Sequence, residues 1–222
     1  MSYLYLDTTD HLIVGLLTDD YSWCEFNETP DTKTSHLMYP LIVEILKRHK
    51  LEPQELSGLI HVSGPGSYTG MRLSEGMAQI FSWQGIPCRS FYHFEIPQLL
   101  AEKEGCWVAK AYKGEYFLCY WGPEEVDNRE ELIDREKLIS KLIELKNNNI
   151  PVYTHFLSSL NLDKNGPEFF IQETGTMLKN KSKEIFAQME TDWPRHRPFY
   201  FRVLEQEFRR ESPSRYSFKG QE

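Results

Sequence analysis

Gly58-Leu59-Ile60-His61-Val62, then Gly64-Pro65-Gly66-Ser67-Tyr68-Thr69-Gly70, then Met71, Ser74, Met77, Ala78 and Phe81: in that order the chain gives an apolar run, a glycine-rich turn and a helical periodicity. The apolar run predicts a short buried strand, and the recurrence at every third or fourth residue predicts a helix with one apolar face. Gly85-Ile86-Pro87 ends that helix, and Cys88 to Phe91 predicts another strand. Strand, turn, helix and strand in succession put this region in the α/β class.

Upstream, Tyr3 to Leu6 predicts a strand that ends at the polar turn Asp7-Thr8-Thr9-Asp10. His11 to Leu17 and Tyr21 to Phe26 continue as strands of an antiparallel meander, and Asn27 to Lys33 is a polar loop. Leu37, Leu41, Ile42, Ile45 and Leu46 then share one helical face behind Ser35, fading into the cations Lys47-Arg48-His49-Lys50. Downstream, His93 to Lys103 predicts a helix. Strands at Cys106 to Tyr112 and Glu115 to Trp121 flank a tight turn at Lys113-Gly114. A charged stretch from Glu124 to Arg135 leads to a helix carrying Leu138, Ile139, Leu142, Ile143 and Leu145. Pro151-Val152-Tyr153 follows, and a last helix is expected over roughly Thr176 to Met189. No internal sequence repeat is visible. The reading is a mixed α/β chain of two lobes, 1–95 and 96–202, with a basic extension over 203–222.

The chain has 222 residues, 40% hydrophobic and 26% charged, so it can build a packed core. Its net charge of −8 argues against a free-standing nucleic-acid binder. Arg195 to Lys219 runs the other way, with seven Lys/Arg against three Glu. No basic region followed by an apolar stretch opens the chain and no apolar run is long enough to span a bilayer, so no membrane association and a cytoplasmic location are expected. Cys24, Cys88, Cys106 and Cys119 form no close pair and are expected as small buried hydrophobes.

Two loops invite a chemical reading. Gly64, Gly66, Ser67, Thr69 and Gly70 lie between a strand and a helix, where free N–H groups and the helix dipole attract anions. No Lys-Ser/Thr follows the last glycine, so this is not a Walker A loop, and glycines that merely turn the chain before a hydroxyl-capped helix are the commoner case. Asp7, Thr8 and Thr9 could hold a phosphate or a metal-bound water, or simply close a hairpin as an Asx turn. The histidines show no paired spacing on a helix, which leaves no metal site to expect; His61 reads as a core residue. No nucleophile elbow is present. Phe199-Tyr200-Phe201, between Arg197 and Arg202, alternates like one strand with a buried face.

These residues resemble the TsaB (YeaZ) family, the non-catalytic partner subunits in bacterial threonylcarbamoyladenosine synthesis on tRNA. Leu6-Asp7-Thr8-Thr9 resembles the family's opening strand and turn, Ser35-His36 and the Leu37 to Leu46 face its first helix. Gly64 to Leu73 is similar to its Gly-Pro-Gly-Ser-Phe-Thr-Gly-Leu-Arg-Ile signature, and Pro198-Phe199-Tyr200-Phe201-Arg202 to its close. Where the family has Asp-Ala-Arg-Arg-Gly-Glu-Val-Tyr, this chain has Lys110-Ala111-Tyr112-Lys113-Gly114-Glu115-Tyr116-Phe117, and Glu75-Gly76 puts a charge on the second helix.

The resemblance implies a two-lobed actin-like, ribonuclease-H-like (ASKHA) fold without catalytic residues. It implies a first-lobe helix pair that docks on a TsaD-like paralogue, with Leu37, Leu41, Ile45, Gly70, Met71, Ser74, Met77 and Ala78 as interface residues. Those residues could equally face the chain's own sheet. The loops Asp7-Thr8-Thr9 and Gly64 to Gly70 become vestigial phosphate loops, with ATP and metal carried by the TsaD-like partner. A TsaE-like ATPase in the assembled complex, tRNA contact only within that complex and a homodimer in isolation complete the expectation. The function implied is to activate formation of threonylcarbamoyladenosine at adenosine 37 of tRNAs reading ANN codons. The competing reading is an independent ATP-binding enzyme of the same superfamily, an ATPase or peptidase-like protein.

Overall fold

Leu4 and Leu6 face one way and Tyr5 the other, and both sides are buried, so the first strand lies inside a sheet covered on two faces. The computed structural model of the chain describes residues 2–29, 34–111, 114–122, 129–162, 169–189, 193 and 195–201. The meander is β1 (Ser2–Asp7), β2 (Leu12–Thr18) and β3 (Trp23–Thr29), paired antiparallel with Tyr5 opposite Gly15 and Gly15 opposite Phe26. Helix α1 (Thr34–Arg48) returns the chain to β4 (Gly58–Val62), which pairs parallel with β1. Helix α2 (Tyr68–Trp83) does the same for β5 (Cys88–Phe91), parallel to β4. The strand order is β3-β2-β1-β4-β5.

Helix boundaries follow local chemistry. Helix α1 ends on Lys47 and Arg48, and Lys50 takes a left-handed φ of 56° while the Leu51 N–H closes on the Leu46 carbonyl at 2.9 Å. Ser67 caps α2 by accepting from the Gly70 N–H. The next segment is shorter than expected: α3 covers only Glu95–Leu99, because Ala101 turns left-handed at φ 64° and the Glu102 N–H closes back on Pro97.

The second sheet repeats the plan. Strands β6 (Gly105–Lys110), β7 (Tyr116–Trp121) and β8 (Arg129–Ile133) form an antiparallel meander; α4 (Arg135–Asn147) leads to β9 (Val152–Thr154), and α5 (Leu157–Leu160) to β10 (Ile171–Glu173). The order β10-β9-β6-β7-β8 mirrors that of the first sheet, with β6–β9 and β9–β10 parallel. A duplicated topology is therefore present although the sequence shows no repeat. Asp134 caps α4, accepting from the Lys137 N–H at 2.9 Å.

Four apolar clusters hold the layers. Helices α1 and α2 cover one face of the first sheet through Met38, Ile42, Ile45, Ala78 and Phe81, and α4 covers the second sheet through Leu138, Leu142 and Leu145. The other face of the first sheet, with Tyr5, Ile13, Ile60 and Val62, is closed by Leu178, Ile185 and Phe186 of α6 (Thr174–Ala187). The strands of the first sheet lie within residues 2–91 and those of the second within 105–173, and α6, which follows the second sheet in the chain, packs on the first.

Several expectations change. The charged stretch holds strand β8, and β10 and α5 fall where no element was expected. Phe199-Tyr200-Phe201 is not a strand: Phe199 and Phe201 both pack on Phe117, and Tyr200 lies 5.2 Å from the Tyr68 ring. Aromatic packing on Phe117 of β7 and on Tyr68 at the start of α2, with the Phe199 N–H on the Ser63 carbonyl at 2.8 Å, fixes it without a ladder. Cys106 and Cys119 are buried as expected, while Cys24 is exposed on β3, which lies at the edge of the first sheet. The Lys113 part of the expected tight turn and the 203–222 extension lie outside the described residues. Among the described residues no helix is long and apolar enough to cross a membrane.

Candidate functional site: the cleft between the sheets

Three polar side chains sit at the carboxyl ends of strands that run parallel to a neighbour, the place where open α/β sheets put their sites. Asp7 ends β1, His93 follows β5 and His155 follows β9. All three are buried. The His93 N–H is fixed on the Gly64 carbonyl at 2.9 Å, and the His155 carbonyl accepts from Gly175 at 3.2 Å, so turns from both sheets deliver the two rings. Asp7 Oδ2 lies 3.4 Å from His93 Nε2 and 3.2 Å from His155 Nε2, and the two imidazoles stack with centroids 3.6 Å apart.

Asp7 Oδ1 accepts from the Thr9 N–H at 2.8 Å and the Thr9 hydroxyl at 2.6 Å, an Asx turn that closes the β1–β2 hairpin. The same hydroxyl is 2.7 Å from His93 Nε2. Because the hydroxyl proton goes to Asp7, the His93 Nε2–H donates to Thr9. Burial works to raise the Asp7 carboxyl, but His93 and His155, with the Thr9 hydrogen bond, outweigh it and hold it below the usual carboxylate range. His93 is pushed down to about 3, by burial first and by His155 next, against the pull of Asp7.

Sequence reasoning brought no histidines together. The fold does: Asp7, His93 and His155 offer ligand atoms that all lie within 4.8 Å of one another. Their separation in sequence hid them; the signal available was that each follows a parallel strand.

The cluster borders a cleft of about 710 Å³ whose walls come from both sheets: Thr8, Thr9 and Ser67 on one side, Lys110, His155 and Phe156 on the other. His11 stacks on Phe156 at 4.3 Å, and Ser159 donates to Asp10.

The glycine turn meets the hairpin in direct backbone contact. Thr8 Oγ1 donates to the Gly70 carbonyl at 2.6 Å and the Ser67 N–H to the Thr9 carbonyl at 2.6 Å. A Cβ on Gly70 would stand 1.7 Å from the Thr8 carbonyl oxygen, and one on Gly66 would stand 2.6 Å from that of Thr9. The N–H groups of Ser67 and Gly70, candidates for an anion, are already bonded within the chain. Gly64 sits at φ 113° and Thr69 is exposed.

The expected interface residues separate into two groups. Ile45, Gly70, Met71, Ser74, Met77 and Ala78 are buried in this chain's own fold, facing the sheet or the hairpin. Leu41 is half-buried, and Leu37 is 37% exposed. The outward apolar side chains missed by the sequence reading are Tyr39 (64% exposed), Ile80 (44%) and Trp83 (82%). Periodicity finds the face that a helix buries at home, and side chains out of phase with it point outward. Glu75 pairs with Arg195 at 3.1 Å.

No family model matches the chain. It is 30% identical over 84 residues to the tRNA threonylcarbamoyladenosine biosynthesis protein TsaB of Bacillus subtilis (strain 168). That match spans 37% of this chain and 37% of the relative. A solved protein described as uncharacterized, with similarity to peptidase YeaZ from Pseudomonas aeruginosa, matches 90% of this chain and 99% of its own at 15% identity, with a TM-score of 0.57. YeaZ from Pseudomonas aeruginosa matches 62% of this chain and 69% of its own at 17% identity, with a TM-score of 0.48. The chain is thus distantly similar to TsaB and YeaZ proteins, and two mixed sheets each flanked by helices are the architecture it shares with the first of these structures.

Proposed function

We propose that this chain is an accessory, non-catalytic subunit in threonylcarbamoyladenosine formation on tRNA, with the ASKHA fold of the TsaB family, docking on a TsaD-like threonylcarbamoyltransferase. The observation that carries the reading is the outer layer of the first sheet. Leu37 and Tyr39 on α1 and Ile80 and Trp83 on α2 are exposed large hydrophobics, on the two helices that resemble the docking pair of that family. Tryptophan and tyrosine are the side chains most enriched among residues that dominate binding energy. Gly76, whose Cβ would meet nothing within 4 Å, leaves a shallow place on α2 for a partner helix to approach. ATP and the catalytic metal belong in this reading to the partner, a TsaE-like ATPase joins the assembled complex, and tRNA is met only there. An unpartnered copy pairs with itself through the same surface.

The test is light scattering after size exclusion, with the chain alone and mixed with the TsaD-like protein of the same genome. A mixed complex lost in Trp83→Glu and Ile80→Glu, with their thermal midpoints unchanged, supports the reading. No mixed species, even with ATP and tRNA present, refutes it. The cleft favours one competing reading, an ATP-binding enzyme of the same superfamily, because the glycine turn forms part of its wall. The Ser67 and Gly70 N–H groups already bonded within the chain weigh against that reading. ATP binding by the isolated chain, abolished by Asp7→Ala, would favour it.

A further inference from the structure

We propose that Asp7, His93 and His155 form a binding site for a transition-metal dication of the zinc class, reached from the cleft. The distances come first. Two ligand atoms of a tetrahedral zinc ion, each about 2.0–2.1 Å from the metal, stand about 3.4 Å apart. Asp7 Oδ2 stands 3.4 Å from His93 Nε2 and 3.2 Å from His155 Nε2. One ion can therefore sit against the carboxylate oxygen and either ring without moving the backbone, and at His93 it takes the place of the Nε2 proton that the empty site donates to Thr9.

The second observation is what the cluster lacks. Asp7 Oδ2, His93 Nδ1 and both ring nitrogens of His155 are buried, and apart from the contacts of Asp7 Oδ2 with the two Nε2 atoms they meet no hydrogen-bond partner. So many orphaned polar atoms at one point is unusual in a folded interior. Among the described residues no lysine or arginine pairs with Asp7, so a fully buried carboxylate has only imidazoles beside it. An unpaired buried charge is expensive, and a dication compensates it directly. The surroundings already orient the carboxylate as metal sites do: Thr9 holds Oδ1 through two hydrogen bonds and leaves Oδ2 free.

The donor set selects the ion. Two imidazoles and one carboxylate suit zinc, cobalt or nickel, whereas magnesium and calcium require a shell of oxygens. Three protein ligands leave a fourth position, and His155 and Thr9 border the cleft, which opens that position to water or to an oxygen of a bound molecule. The two rings now stack at an interplanar angle of 26°, so simultaneous ligation requires one to turn about its side-chain torsions. His155 borders open space and is the one that turns.

The inference is independent of partner docking and needs no activity. The full-length chain, freed of metal with a chelator, is titrated with Co²⁺ and followed by visible absorption, then with Zn²⁺ as competitor. One Co²⁺ per chain with the bands of a tetrahedral site, displaced by Zn²⁺, is expected, together with a thermal midpoint raised by Zn²⁺ and unmoved by Mg²⁺. His155→Gln and Asp7→Asn should weaken Co²⁺ binding at least tenfold. Asparagine retains the acceptor for Thr9, so the hairpin persists, and if that variant fails to fold, His155→Gln decides alone. Absence of both the Co²⁺ bands and the Zn²⁺ stabilisation in the unaltered chain overturns the proposal. So does a signal that survives His155→Gln, or one that disappears in Cys24→Ser instead.

Discussion

His61 provides a sharp energetic test of the fold. It lies in β4 on the same side as Leu59, fully buried, and neither ring nitrogen makes a hydrogen bond. Burial pushes its pKa from 6.5 down to about 3, with Arg195 and His196 adding to the shift and a marginal contact with the Val62 backbone opposing it. The folded chain therefore keeps His61 neutral, while the unfolded chain takes up a proton as pH falls below 6.5. Between those values the unfolded state binds more protons, so stability rises with pH and is lost on acidification. From pH 7 to pH 5 the unfolded histidine goes from roughly a quarter to nearly fully protonated, which removes about 2 kcal/mol. For a chain of this size that is about 4–8 °C in thermal midpoint. Urea unfolding of the unaltered chain and of His61→Leu at both pH values isolates the effect, since every other group is common to both. The unaltered chain should lose about 2 kcal/mol more than the variant. Equal losses would mean that the ring is protonated in place or is reached by water, and the argument from burial would fail.

The glycines of α2 give opposite expectations. Gly70→Ala forces a Cβ to 1.7 Å from the Thr8 carbonyl oxygen, and backbone must move, so destabilisation of at least about 3 kcal/mol is expected in urea. Gly76→Ala meets nothing within 4 Å and should stabilise by about 0.5–1 kcal/mol, so a loss there would contradict the open surface. Thiol titration should find Cys24 reacting at once and Cys88 more slowly, with Cys106 and Cys119 silent until denaturant is added; burial also pushes the Cys106 thiol up. Rapid reaction of all four in the native chain would contradict the second core.

The first sheet was legible because its strands obey simple rules. Leu12 to Leu17 is buried on both faces and reads as a continuous apolar run, and the glycine turn is punctuation between strand and helix. The edge strand β8 was not legible: Arg129 and Glu130 are exposed, and charge on an edge looks like a loop when pairing is invisible. The alternation of Phe199-Tyr200-Phe201 misled in the other direction, since aromatics can alternate between the Phe117 and Tyr68 rings without any ladder. Of the candidate site, Asp7 and Thr9 were found as a turn, but His93 and His155 were not, because only the juxtaposition of two sheets brings them to Asp7. On α1 and α2 the strongest periodicity marks the side a helix hides, and the exposed Trp83 lies outside it.

The return of α6 to the first sheet has a consequence for biosynthesis. A ribosome delivers β1 to β5 early, yet the face formed by Tyr5, Ile13, Ile60 and Val62 lacks the cover of α6 until residues 174–189 emerge. The lobe translated first is therefore the one completed last, and for most of its synthesis the nascent chain presents an apolar sheet face of the kind chaperones shield. A stop codon at Thr174 releases a chain whose second sheet has its strands and helix α4, while its first sheet lacks α6 on one face.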